Sequence, residues 1–431
     1  MAKIKLKSIG YGKLNYRWVI IAISALMVCV VLGFCSSSKS IYIKAITDNL
    51  GIERSLFSIN DSCRYIATSI VNLFFGYLIG KFGAKRLIGA GFICLISSCL
   101  IYSFATNIFV FYIGGMLLGV GLSWTTTTMV GYVVNRWCTK NRGTIMGAVL
   151  ATNGIGAAAA TMIVSPIIHS SAQGYQTAYR LVALILFVVF VLVMIFFRNS
   201  PKYHEEEEVS DAPKKKSRGQ SWEGIEYRDA VKKAYFYLAL AGVFLTGMML
   251  QGITGISTPH MYDRGLDEAY VAVVLSCHSL ALTVFKFLTG FMYDRFGLRA
   301  TTNICMTTAV ATFLFLANVA DTATGRAFAM IYGVFSSLSL PLETIMLPIY
   351  ASDLFGDKSF NKILGLFVSV NTAGYALGAP ISNLCFDITG SYNFALYVSS
   401  ALMIGVIVAM NIVITSSNRQ RKIIEQKATV Q

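Results

Sequence analysis

The chain has 431 residues, of which 55% are hydrophobic and only 13% charged, and its mean hydropathy is +0.62. Because soluble domains carry roughly a quarter charged residues, these values exclude an ordinary soluble protein and indicate an integral membrane protein. The net charge of +15 is spread over short loops without a basic face interleaved with aromatic side chains, so it does not point to nucleic-acid binding.

Twelve segments are long and apolar enough to cross a hydrocarbon core of about 30 Å, which takes about 20 residues. In chain order they are Trp18–Ala45, Ser55–Lys81, Lys85–Phe104, Ile108–Trp137, Thr144–Ile168, Thr177–Phe197, Tyr235–Met261, Tyr270–Tyr293, Ala300–Val319, Gly325–Tyr350, Lys362–Phe386 and Tyr392–Thr415. The predicted fold class is therefore an all-α membrane protein with twelve transmembrane helices. The nine cysteines lie almost wholly in or beside these segments and form no CxxC, so neither disulfides nor a metal or other cofactor is expected.

The basic residues predict how these segments are oriented. The N-terminus is basic and free of acids up to Arg17, and basic residues stay on the cytoplasmic side of a membrane. With twelve spans, only five of the 36 basic residues fall on the opposite side: Lys44, Arg54, Arg180, Arg264 and Arg326. We expect a multi-pass protein of the cell membrane with both termini in the cytoplasm.

One long hydrophilic stretch, Arg198 to Lys233, divides six spans from six. It contains an acidic block and a basic block without apolar periodicity, which is typical of a mobile linker. The predicted domains are an N-terminal six-helix bundle (1–198), a cytoplasmic linker (199–233) and a C-terminal six-helix bundle with a short tail (234–431). Trp222 to Lys233 is a candidate for a short surface helix.

Two glycine-rich segments after spans two and eight repeat each other 214 residues apart. We call residues 76–86 the first seam and residues 290–299 the second seam. Their matching positions are Gly76, Gly80, Lys81 and Gly83 in the first seam and Gly290, Asp294, Arg295 and Gly297 in the second.

A second pair of segments repeats at nearly the same offset, 218 residues. Gly147, Asn153 and Gly156 in span five recur as Gly365, Asn371 and Gly374 in span eleven. Repeats of this kind predict two pseudo-symmetric six-helix bundles, with a substrate site between them near the membrane midplane.

With both seams present, the chain resembles transporters of the major facilitator superfamily over nearly its whole length. The resemblance implies alternating access, with the seam residues acting in conformational gating. The family usually has an aspartate where the first seam has Gly80, whereas Asp294 keeps it in the second seam, so an inner-gate role for that aspartate is in question in the first half.

Two shorter stretches narrow the resemblance. Lys39 to Lys44 is similar to a segment of monocarboxylate transporters, and Asn135-Arg136-Trp137 with Arg142-Gly143 is similar to oxalate/formate antiporter relatives. In those families an arginine four residues before the seam glycine is implicated in holding the substrate carboxylate, and Lys286 stands at that position. Leu282 stands where monocarboxylate carriers have an aspartate. Asn371 stands at about the position where oxalate carriers have a second cation, so oxalate itself is a less favoured substrate.

Five charged residues fall inside spans, where each costs about 2.5–3.5 kcal/mol without a partner. They are Lys39, Asp61, Arg64, Lys286 and Glu343. Asp61 and Arg64 are spaced i,i+3 and can pair, either in a structural role or as a proton-coupling or counter-ion pair that acts on the substrate. If Glu343 pairs with one lysine, the other is left free, and we expect a substrate monocarboxylate to neutralise this spare cation.

Further candidates have a structural alternative beside the functional one. Lys39 is predicted to bind substrate or to couple transport to protons, or else to extend to the outer interface. His278 and Glu343 are candidates for proton coupling, His278 with hydrogen-bonded packing as the alternative and Glu343 with a counter-ion role. Asn153 and Asn371 are predicted to bind substrate, or else to join helices.

The favoured function is a secondary carrier of a small organic anion, by symport, exchange or facilitated diffusion, acting as a monomer in the lipid bilayer. One alternative is a carrier of neutral or cationic solutes. A membrane enzyme is disfavoured because the sequence has no HExxH or nucleophile motif. A non-transporting sensor is disfavoured because the linker is too short for a soluble domain.

Overall fold

The computed structural model describes residues 16–430 except 38–41, 43–44, 47–48, 52–53, 139–140, 169, 172, 200–221 and 223. This part of the chain is almost entirely helical. The helices are α1 (Tyr16–Leu32, continued by a π-helical turn, Gly33–Ser37), α2 (Arg54–Leu73), α3 (Phe75–Phe82), α4 (Ala84–Phe104), α5 (Ile108–Thr125), α6 (Thr127–Trp137), α7 (Arg142–Ile168), α8 (Gly174–Phe196), α9 (Tyr227–Ala230), α10 (Ala234–Asp263), α11 (Glu268–Phe296), α12 (Leu298–Ala317), α13 (Ala323–Phe335), α14 (Met346–Phe355), α15 (Phe360–Thr389) and α16 (Asn393–Val430).

Ten of the described helices are long and apolar enough to cross a membrane, and the number reaches twelve when each of two bent pairs is one span. The predicted all-helical fold with twelve spans is thereby confirmed. The second span bends by 62° between α2 and α3, and the tenth bends by 43° between Glu343 and Met346. Pro341 and Pro348 flank the second bend, and each removes a backbone donor from the helical ladder.

Two local predictions were wrong. The last helix does not end near Thr415 but runs on to Val430. In the candidate surface helix at the end of the linker, Tyr227–Ala230 is the one helical stretch among the described residues. The reason is that Trp222 and Ile225 use their backbone groups elsewhere: the Ile225 amide donates to the Phe355 carbonyl at 3.0 Å, and the Trp222 carbonyl accepts from the Asp357 amide at 3.2 Å.

The two seams have the same backbone geometry. Gly83 ends α3 and precedes α4 with φ 75° and ψ 161°, and Gly297 ends α11 and precedes α12 with φ 82° and ψ 176°. Such positive φ values favour glycine. We call the end of the helix bundle that carries Gly83 and Gly297 the seam end.

Glycines bring the two halves together at equivalent points. A Cβ added at Gly147 on α7 would lie 2.5 Å from the carbonyl oxygen of Lys286 on α11, and one added at Gly365 on α15 would lie 2.4 Å from that of Asn72 on α2. Lys286 and Asn72 each stand four residues before the first glycine of a seam. Only glycine allows backbones this close, so the repeat seen in sequence corresponds to repeated contacts between the halves.

Candidate functional site

A cavity of about 280 Å³ lies between the helices that precede the linker and those that follow it. This volume is near the lower end of the range of about 300–1,000 Å³ for small-molecule sites. The charged and amide side chains around it include Arg64, Asn153, Gln251, Lys286, Glu343 and Asn371. These polar groups converge on a small cavity whose wall is otherwise mostly apolar, and such a site suits a small solute that carries a polar group.

Lys286 lies on α11 with only 7% of its surface exposed, and it lines the cavity. No carboxylate of the described residues comes within 4.0 Å of its ammonium group. A buried cation without a counter-charge is costly, so an anion that enters the cavity would lower its free energy.

Arg64 is the other described cation of the cavity, and it is held differently. Its guanidinium lies 3.3 Å from the Asp61 carboxylate, donates to the Ser36 hydroxyl at 3.1 Å and lies over the Tyr65 ring at 4.6 Å. The ion pair has the i,i+3 spacing noted in the sequence. Arg64 therefore already has an anionic partner, which leaves Lys286 as the cation better placed for a substrate carboxylate.

Glu343 also lines the cavity and is 4% exposed. It forms no ion pair with Lys286; instead its Oε2 accepts a hydrogen bond from the Gln251 side chain at 2.8 Å. Tyr375 lies beside the carboxyl group, yet Oε1 has no hydrogen-bond partner among the described residues. Glu343 was expected to pair with a lysine. It does not pair with Lys286, and the Gln251 amide donates to its carboxylate instead of an ammonium group.

The two asparagines predicted to bind substrate both line the cavity, and each already makes a hydrogen bond to another helix or turn. Asn153 Oδ1 accepts from the Ser37 hydroxyl at 3.0 Å. Asn371 is 2% exposed, and its amide donates to the Val243 carbonyl at 3.0 Å. These contacts give both residues a role in packing, which does not remove them from the cavity wall.

One other predicted residue, His278, lies apart from the described cavity wall. The His278 ring is not among the residues around the cavity; its Nδ1 lies 3.0 Å from the Gly333 carbonyl and 3.0 Å from the Ser337 hydroxyl, which matches the packing alternative. Lys39 lies outside the described residues, so the predictions made for it stay predictions.

The second seam joins the two halves at the seam end. The Asp294 carboxylate accepts hydrogen bonds from the Gly143 amide at 3.1 Å, the Thr144 amide at 2.7 Å and the Thr144 hydroxyl at 2.5 Å. These are the first residues of α7, where a helix presents free amides and partial positive charge. Asp294 therefore fastens α11 to α7 across the boundary between the halves.

The first seam packs in the same place on the other side but lacks this fastening. A Cβ at Gly76 would lie 2.7 Å from the Lys362 Cα in the first turn of α15, whereas one at Gly80 would meet nothing within 4 Å. The basic residues of the seams, Lys81 and Arg295, are exposed. The asymmetry of the two seams in sequence is thus an asymmetry of contacts as well.

Several contacts that join the halves at the cavity could not be predicted from the sequence. The rings of Tyr65 and Tyr375 meet edge to face with centroids 5.6 Å apart. The Ser69 and Ser369 hydroxyls each donate to the other residue's carbonyl, at 2.9 and 2.7 Å. Uncharged residues inside a span carry no distinctive pattern, and only the antiparallel packing of α2 on α15 brings them together.

Comparison with known proteins agrees with this architecture. The sequence profile of the Major Facilitator Superfamily matches residues 24–271 and 239–430. The uncharacterized MFS-type transporter YcxA of Bacillus subtilis is 21% identical over 365 residues, covering 83% of this chain and 85% of that protein. Monocarboxylate transporter 13 of Bos taurus is 26% identical over 330 residues, covering 75% and 72%. The crystal structure of FucP, a Major Facilitator Superfamily transporter in the outward conformation, superposes with a TM-score of 0.72 at 13% identity, covering 93% of this chain and 99% of that one.

These helices, their repeated seams and the central cavity are those of a membrane transporter. The chain belongs to the Major Facilitator Superfamily. It is a multi-pass membrane protein of that family, and the resemblance noted in the sequence is confirmed.

Proposed function

We propose that this chain is a secondary carrier of a small organic anion, with monocarboxylates as the substrate class and Lys286 as the group that binds the carboxylate. The observation that carries the proposal is the buried ammonium of Lys286, which lines the cavity without an acidic partner among the described residues. A lysine binds a carboxylate as a point charge, without the two-pronged geometry of arginine. The similarity to a protein named monocarboxylate transporter 13 supports the same class.

Carriage would proceed by alternating access, with the halves rocking about the cavity and the seam residues fastening one end. Asn153 and Asn371 would add hydrogen bonds to the substrate through the parts of their amides that face the cavity. We propose Glu343 and Lys39 as the groups that couple transport to protons. Such coupling suits an anion carrier, because an anion moved together with a proton adds no net charge. The proposal also takes residues 1–198 and 234–431 as the two domains that move, joined by the linker.

A carrier of cationic or neutral solutes is the second candidate. It is favoured by one observation, the Glu343 carboxyl group that lines the same cavity without an ion pair to Lys286. In such a carrier, Glu343 would be the binding group and Lys286 would serve only as its distant counter-charge.

Counterflow in proteoliposomes separates the two candidates. Vesicles are loaded with one of five test solutes: lactate, pyruvate, formate, oxalate and a lipophilic cation. Uptake from outside is then measured with and without a pH gradient. We expect uptake of at least one monocarboxylate and none of the cation. Uptake of the cation alone would contradict the anion proposal, and a pH-gradient dependence lost in Glu343→Gln would support the coupling role.

A further inference from the structure

The break in the tenth span forms a distinct polar spot on the cavity wall. The helical path changes to a 3-10 turn at Leu340–Glu343, and Thr344 has φ −125° and ψ −63°, outside helical values. α14 then begins at Met346. Glu343 and Thr344 at this break both line the cavity, and interrupted helices of this kind expose polar groups to solutes in other transporters.

Two oxygens at this spot are buried without a partner. Glu343 Oε1 and Thr344 Oγ1 are shielded from solvent, and neither makes a hydrogen bond of regular geometry with a described residue, although the Tyr375 hydroxyl lies beside the Glu343 carboxyl group. Buried polar atoms are nearly always hydrogen-bonded, and leaving one unpaired is costly. Both oxygens can accept a hydrogen bond, and a carboxylate is the stronger acceptor.

The same cavity contains the opposite chemistry in Lys286. Among the described residues, the ammonium of Lys286 lacks an acid, the carboxyl group of Glu343 lacks a cation, and the two do not pair with each other. A solute that carries only a carboxylate would satisfy the first group and leave the second unpaired. A solute with a carboxylate at one point and an N–H or O–H donor at another would satisfy both.

We infer that Glu343 and Thr344 form a second recognition point, which binds a hydrogen-bond donor of the substrate, so that the preferred substrates are amino- or hydroxy-substituted carboxylates. This inference rests on the proposed function, because it takes Lys286 as the carboxylate site. It goes beyond that proposal by naming the second group that the substrate carries. It also assigns Glu343 a direct contact with substrate, which a role confined to proton coupling does not include.

The test compares matched acids that differ only at the second carbon. Propionate, lactate and alanine form a short series, and 3-phenylpropionate, 3-phenyllactate and phenylalanine form a longer one. Dissociation constants are measured on the purified full-length protein, and the hydroxy and amino arms show which donor is preferred. We expect the better donor-bearing acid of a series to bind about tenfold tighter than its donor-free parent, the effect of one hydrogen bond to a charged or buried acceptor.

Two variants assign this preference to the break. Thr344→Val removes the hydroxyl and no titratable group, and Glu343→Gln removes the charge while keeping the shape. Each is expected to reduce the tenfold preference by at least threefold. The preference is a ratio of two affinities measured on the same variant, so a general change in anion affinity on loss of the Glu343 charge cancels in it. Thr161→Val is the matched control, because Thr161 is exposed and bonds only to the Ala157 carbonyl of its own helix in the described structure.

Three results would overturn the inference: equal affinity for acids with and without the donor, a preference unchanged in both variants, or a Glu343→Gln protein that loses only its response to a pH gradient. In each of these cases carboxylates still bind, so the proposed function stands. If no acid of either series binds the wild-type protein, the proposed function itself fails, and the two failures are therefore distinct.

Discussion

Arg64 and Lys286 show that a buried cation can be held in two ways in one cavity. Arg64 uses the planar fork of its guanidinium to contact Asp61 and Ser36 together, and its face packs on an aromatic ring. Lys286 has a single ammonium and no such set of partners among the described residues. The first arrangement is a structural element, and the second leaves a charge available to a ligand.

The Arg64 ion pair predicts a measurable cost when its acid is removed. Asp61→Asn is expected to destabilise the protein by about 1–3 kcal/mol, less than the 3–5 kcal/mol of a fully buried pair because a third of the Asp61 side chain is exposed. Thermal unfolding of the purified variant in detergent measures the effect. Asp229→Asn is the control, since its pair with Lys232 is exposed on both sides and is worth at most about 1 kcal/mol. Equal stability of the two variants would show that Arg64 does not depend on Asp61.

At the residue scale, the sequence predicted which charged residues lie inside the spans better than it predicted which residues they contact. The i,i+3 spacing of Asp61 and Arg64 was readable because both lie on one helix. The bond from Gln251 to Glu343 joins α10 to the break before α14, and no local pattern reports a contact between residues so far apart in the chain. Tyr65 and Tyr375 were missed for the same reason.

At the scale of elements, the asymmetry between the seams determines how the halves are fastened. The Asp294 carboxylate accepts hydrogen bonds from amides in the first turn of α7, while a Cβ added at the equivalent Gly80 would meet no atom within 4 Å. Ser359 precedes α15 without a side-chain hydrogen bond to its first turn, so that helix end is also without a cap from its own chain. Within the seams, Asp294 is the one described residue that joins the halves through a carboxylate, and near the start of α15 the Asp357 carboxylate, outside the seams, accepts a hydrogen bond from Asn135 at 3.2 Å.

Loss of the Asp294 contacts is expected to loosen the seam end. Asp294→Asn keeps the shape but loses the charge and one acceptor oxygen, at a cost of about 1.5–3 kcal/mol, which corresponds to a shift of about 10- to 100-fold toward the separated state. Spin labels at Arg136 and Lys358 report the distance between the two halves at the seam end. Both residues are exposed, and their neighbours Asn135 and Asp357 form a hydrogen bond of 3.2 Å.

The opposite change is expected from Gly80→Asp. A new carboxylate beside the first turn of α15 would supply the missing fastening, and the space at Gly80 admits it. The distribution of label distances should then narrow toward the short value, and transport should slow. A seam end that responds to neither substitution would show that the carboxylate does not hold the halves together.

The elements themselves were largely predictable, whereas their breaks were not. Runs of about 20 apolar residues mark helices because a membrane allows little else. Pro341 and Pro348 flank the interruption at Glu343, whereas no proline marks the 62° bend between α2 and α3 in the sequence. That bend lies next to the close approach of Gly76 to Lys362 in α15.

At the scale of the whole molecule, the two repeats carry the argument. The offsets of 214 and 218 residues in the sequence correspond to the paired contacts of Gly147 with Lys286 and of Gly365 with Asn72. The fold could therefore be predicted from sequence, since duplicated halves must bury equivalent faces. The cavity could not, because its volume depends on how far apart two rigid halves stand.

Orientation in the membrane is predicted by the basic loops. Both termini should face the cytoplasm, because only five of 36 basic residues lie on the other side of a twelve-span chain. Cysteines introduced at Lys232 and, in separate molecules, at Asp321 can be labelled in intact cells with a reagent that does not cross membranes. We expect labelling at position 321 and none at position 232. Labelling at position 232 and none at position 321 would show that the termini face the opposite side of the membrane.

The most direct test of the central claim is the binding of anions by a Lys286 variant. We predict that Lys286→Gln weakens the binding of the preferred monocarboxylate by about 10- to 100-fold, the effect of losing one charge-assisted hydrogen bond, while Lys286→Arg retains part of the affinity. Lys232→Gln is the matched control, because the Lys232 side chain is 73% exposed on the surface. Isothermal titration of the purified proteins gives the three constants against the wild-type value. An unaltered affinity in Lys286→Gln would contradict the account, because the substrate carboxylate would then have to bind elsewhere.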